Sequence, residues 1–94
     1  MTEKQVKTFV KETIRFMGNN VYPRVKKVDN QWYLVITKVD DYITKTVYRL
    51  NENTMLFECL GFQYNDDLNK TYNNGVDFGT FNKILWEVME AKDF

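Results

Sequence analysis

The chain contains no histidine, and so lacks the side chain that most often serves as general base or metal ligand near neutral pH. Its single cysteine, Cys59, excludes an internal disulfide. No apolar run approaches the ~20 residues that a bilayer-spanning helix needs, and the N-terminus shows no signal-peptide pattern. A soluble, cytoplasmic protein is the expectation. The formal net charge is zero, so no overall field draws the chain toward nucleic acid or membrane. Glycine-rich phosphate loops, nucleophile elbows and zinc-type spacings are also missing. These absences point away from an enzyme and imply no cofactor and no metal.

Two adjacent carboxylate pairs occur, Asp40-Asp41 and Asp66-Asp67. Neighbours on an extended chain point to opposite sides, and Asp is a favoured turn residue, so both pairs read as turns rather than acid/base sites. A calcium-loop reading from Asp67 fails because Tyr72 and Phe78 stand where the loop needs Gly and Glu.

What is present is apolar and aromatic. Of the 94 residues 44% are apolar and 16% aromatic, enough for one domain over 1–94 that buries about 65% of its extended-chain surface. Charge is unevenly placed. Residues 1–50 carry ten Lys/Arg against five Asp/Glu, and residues 51–94 carry three against eight, a split of +5 and −5 that predicts a dipolar molecule. Size and composition resemble those of phage and mobile-element products, anti-CRISPR-like anti-defence proteins among them.

Two helices and a meander are predicted. Thr2 with Gln5 fits a capping box, and Val6, Phe9, Val10, Ile14 and Met17 recur at helical spacing until Gly18 stops the helix. A second stripe, Phe81, Ile84, Leu85, Val88 and Met89, marks a helix from about Gly79-Thr80, with Trp86 off the stripe. Residues 21–64 read as four strands with turns at Asp29-Asn30, Asp40-Asp41 and Asn51-Glu52-Asn53. Closing those turns sets Val25 against Leu34, Leu34 against Val47 and Val47 against Phe57. One apolar face then carries Trp32, Leu34, Ile36, Val47, Phe57 and a buried Cys59.

A three-residue loop at Asp40 would flip half of this sheet. Residues 61–78 are polar and turn-rich, with Asn74-Gly75 placed to close a small hairpin. The predicted fold is α+β: a four-stranded antiparallel meander with both terminal helices on one face, an α-β-β-β-β-α two-layer sandwich.

Three features suit binding. On the uncovered sheet face Tyr33 and Tyr48 would offer contact area. Trp86 is an aromatic outside its helix stripe, the type enriched among interface anchors. Tyr64, Asp66, Asp67 and Tyr72 lie in a loop of adaptable contact residues. Together they predict a small non-enzymatic protein-binding module, an inhibitor or modulator of a larger partner protein. Nucleic acid is the alternative partner, held by Tyr22, Arg24 and Lys26 on the sheet face or by the Lys4, Lys7, Lys11 and Arg15 stripe of the first helix. The same stripe also reads as an ordinary solvated helix face. The strand beginning at Val21 is an edge and offers a route to a homodimer.

Overall fold

In the computed structural model, which describes residues 1–92, the N-terminal capping box forms as predicted. The Gln5 amide donates to Thr2 Oγ1 at 3.2 Å, and the Thr2 amide donates to Gln5 Oε1 at 2.8 Å. They open helix α1, Glu3–Ile14, whose Val6 and Val10 are fully buried. The helix closes at Arg15, before Met17 and Gly18, and leaves Phe16 and Met17 exposed.

Among the described residues five antiparallel strands follow, in the order β1 (Val21–Val28), β2 (Gln31–Val39), β3 (Ile43–Asn51), β4 (Leu56–Tyr64) and β5 (Thr71–Asn73). A single 3₁₀ turn, Leu68–Lys70, precedes β5, and helix α2 covers Phe78–Met89. The first turn is as expected. Asp29 and Asn30 both adopt positive φ, 49° and 64°, matching the twist of a tight hairpin that sets Val25 against Leu34.

The second turn differs. Val39 pairs with Ile43, so the loop holds three residues, Asp40, Asp41 and Tyr42. A one-residue change in loop length inverts every side chain beyond it. Leu34 therefore faces Tyr48, and Val47 faces Val35 on the opposite side of the sheet. The third turn is longer than expected as well. Asn51 pairs with Leu56, its side chain accepting from the Asn53 and Thr54 amides, and Leu50 meets Phe57.

A bulge then shifts register once more. Tyr48 opposes Cys59 while Val47 opposes Gly61, which leaves Leu60 as the extra residue. Leu60 joins the cluster around Phe81, and an added Cβ on Gly61 would reach Phe81 Cε2, so both bulge residues point toward α2. Beyond the bulge Phe62 and Tyr64 return to the Leu34 side.

The two helices lie on opposite faces, which corrects the expected two-layer packing. Val6 and Val10 of α1 pack on Val25, Trp32, Leu34, Ile36 and Leu50. Phe81, Ile84, Leu85 and Val88 of α2 pack on Val35, Val47 and Leu60. The chain is α+β with an antiparallel meander and a helix at each end, but it has three layers, α1 on one side and α2 on the other. Leu34, Val35 and Ile36 are consecutive and all buried, the mark of a strand covered on both faces. A fifth strand replaces the predicted Asn74-Gly75 hairpin, because β5 pairs back onto β4. Val76 and Asp77 lead straight into α2, whose N-cap is Asp77. The Thr80 amide donates to its carboxylate at 2.7 Å and holds it below the usual carboxylate range.

Folding also absorbs the charge split. The basic first half and acidic second half meet in ion pairs: the Met1 amino group with Glu52 at 3.2 Å, Lys26 with Glu87 and Glu90 at 3.3 and 3.5 Å, Arg49 with Glu58 at 3.1 Å, and Lys45 with Asp66. Lys83 and Asp29 pair in the reverse sense at 3.6 Å.

Candidate functional site

On the α1 side of the sheet the helix cluster reaches Leu50 and Phe57 but includes nothing from the far ends of β3, β4 and β5. There the chain assembles four rings. Phe62 lies 5.3 Å from Tyr64 and 5.1 Å from Tyr72, centroid to centroid, and Tyr64 is 6.2 Å from both Tyr72 and Tyr42. The edge-to-face contacts among them suit the ring quadrupoles and hold the group together. The local reason is the strand period. Phe62 and Tyr64 alternate onto one face after the bulge, Tyr72 is the β5 partner of Phe62, and the three-residue loop brings Tyr42 beside Tyr64. Tyr42 and Tyr72 stay more than half exposed, at 59% and 57%.

A cleft of about 330 Å³ opens among Tyr42, Tyr64, Asn65 and Lys70. A second depression, of about 430 Å³ and lined in part by Met17, Lys38, Thr44, Thr46 and Tyr48, continues the same face.

Trp86 stands on the other side. It is 41% exposed, and Lys45 Nζ lies 5.5 Å from its ring centre. Lys45 is 7% exposed and pairs with Asp66. This pair carries a clear expectation. Asp66→Ala should destabilise the fold by about 1–3 kcal/mol, because it strands a buried ammonium, with the exposure of Asp66 moderating the loss. Lys45→Met should be near neutral, since an apolar chain of similar length fills the same space. Urea denaturation of the two variants checks the order.

The other candidates are distributed through the structure. Asp67 accepts from the Asn69 amide at 2.9 Å as the cap of the 3₁₀ turn. Tyr33 packs beneath α2 and Tyr48 against the α1 cluster, so neither sits on an open tyrosine face. Burial, with Cys59 nearby, pushes the Tyr48 phenol above its ordinary range. Cys59 itself is exposed rather than buried, since the edge of the α1 cluster falls at Phe57.

Among the nucleic-acid candidates, Arg24 donates to the Met89 and Ala91 carbonyls at the end of α2, at 2.8 and 2.7 Å. Hydrogen bonding to Glu87, with Glu90 adding to it, holds Lys26 above the ordinary lysine range. Tyr22 is exposed. On α1, Lys7 pairs with Glu3 and Arg15 with Glu12, while Lys4 and Lys11 are exposed on the same helix.

Sequence reasoning did not single out Tyr42, Phe62 or Lys45. For Phe62 and Tyr64 the signal is their two-residue spacing directly after Gly61; Lys45 shares the covered face of Val47 in either register, but its pairing with Asp66 and its place beside Trp86 depend on the flipped strand.

Among the described residues no cluster of three or more His, Cys, Asp or Glu side chains could hold a metal ion, and no helix is long and apolar enough to cross a membrane. Comparison with protein families, with curated proteins and with solved structures finds no match to this chain.

Proposed function

We propose that the chain is a small cytoplasmic, non-enzymatic protein-binding module that inhibits or modulates a larger partner, of the anti-defence type carried by phage and mobile elements. The observation that carries the reading is the Tyr42/Phe62/Tyr64/Tyr72 cluster, an aromatic surface on the part of the sheet outside the α1 cluster. Tyrosine supplies large, rigid contact area at low entropic cost, which is why protein-recognition surfaces are rich in it. The carboxylates argue against catalysis. Asp67 and Asp77 cap turns and helices, Asp66 neutralises Lys45, and Glu87 and Glu90 hold Lys26.

Nucleic acid loses ground because Arg24 and Lys26 already serve α2. The test is affinity capture from lysate of the source cells with wild type and a Tyr64→Ala/Tyr72→Ala double variant. A partner protein should co-purify in stoichiometric amount with the first and be lost with the second. Capture indifferent to both changes would sink the reading. So would a gel shift with single-stranded nucleic acid that weakens steeply with salt.

A further inference from the structure

We propose that the outer edge of β1 receives an extended acidic segment of another protein as a sixth strand. The Val39 amide donates to the Asn20 carbonyl at 3.0 Å, so in the Val21–Lys38 register the even-numbered residues of β1 exchange bonds with β2. The odd-numbered ones, Val21, Pro23, Val25 and Lys27, turn their backbone groups outward. Pro23 thus has its missing N–H on the open side, where no ladder bond is lost. Among the described residues no strand pairs there, since β1 ends the sheet.

The edge is also housed. A cleft of about 700 Å³ lies along Val25 to Lys27 between the start of α1 and the end of α2. Lys7, Lys26, Lys27 and Lys92 line it against Glu3 and Glu90, with Trp32 at its floor. Arg24 is taken up by the end of α2, Lys26 by Glu87 and Glu90, and Lys7 by Glu3, so among the described residues Lys27 and Lys92 supply the surplus charge of the cleft, and β1 itself carries no acid. This charge selects the occupant. A second copy of β1 would set these cations against their own kind, an unfavourable cross-strand arrangement, whereas an acidic strand would meet both the lysines and the open amides of Val25 and Lys27.

An eight-residue capped peptide alternating Glu and Val, the length of β1, is the probe, with a Lys/Val peptide as its counterpart. Amide exchange and chemical shifts are followed on the full chain. Binding of the Glu/Val peptide should slow exchange at Val25 and Lys27. Lys27→Pro, which removes an outward N–H and one charge, should weaken it by about tenfold or more. Lys27→Glu, which keeps the N–H, gives a second reading should the proline variant not fold, and should also weaken binding. No protection at Val25 and Lys27, equal affinity for the Lys/Val peptide, or protection that rises with protein concentration alone would each overturn the proposal. The ring cluster lies toward the opposite edge and is unaffected by these variants, so its own test stands or falls separately.

Discussion

Gly61→Ala is expected to destabilise the protein by on the order of 3–5 kcal/mol, through combined overpacking and backbone strain. Gly61 sits at φ 138°, a conformation that L side chains rarely adopt, and a Cβ there would stand 2.0 Å from the Tyr72 carbonyl oxygen and 2.9 Å from Phe81 Cε2. The first obstacle is backbone and cannot rotate away. Relief requires β5 to leave β4, which would also remove Tyr72 from the ring cluster. The expected result is therefore a lower urea midpoint together with loss of exchange protection in β5. A variant as stable as wild type, with β5 still protected, would contradict the bulge geometry. Pairing Gly61→Ala with Phe81→Leu should recover only part of the loss, because the clash with Tyr72 remains.

Phe81→Ala should cost about 3–5 kcal/mol, the usual penalty for emptying a buried aromatic site. Phe81 is fully buried and belongs to the α2 cluster with Val35, Val47 and Leu60. Against a typical total stability of 5–15 kcal/mol, that loss brings the domain close to unfolding. Trp86→Ala, five residues along the same helix, should cost less, about 1–2 kcal/mol, since Trp86 is already 41% exposed and loses only part of a buried aromatic's contribution together with the contact to Lys45. Equal losses from the two would mean that α2 is rotated on the sheet, with Trp86 rather than Phe81 at its centre. Thermal or urea unfolding of both variants distinguishes the cases.

Much of the fold was legible in the residues because it is local. The capping box of α1 needs only Thr2 and Gln5 at their spacing, and the Asp29-Asn30 hairpin needs only two residues tolerant of positive φ. The buried stripe of α2 follows from the helical period. The apolar face of β1 and β2, from Val21 to Ile36, is legible in the same way, because one tight turn sets their register.

The pattern stops being legible where a single residue of loop length decides the outcome. Tyr42 belongs to the turn rather than to β3, so Val47 moved to the second core, and Tyr48 moved to the first. The run Leu34-Val35-Ile36 did announce a strand covered on both faces. Alternation on one face alone does not reveal it. For the candidate site, the sequence places Tyr64 and Tyr72 together in one turn-rich segment, but only the bulge at Leu60 and the pairing of β5 with β4 bring them together with Phe62 and Tyr42.

Composition and spacing by themselves determined that this chain has two amphipathic helices, a meander between them, and no histidine with which to do common acid/base or metal chemistry. Those properties depend on interactions within a few residues, which any stretch of sequence displays directly. The tertiary structure alone decided that the helices take opposite faces, that opposite charges from the two halves neutralise one another, and that four rings converge outside the cover of α1. Each of these depends on strand register, and register is set by the burial of both sheet faces at once, a balance that no local segment contains.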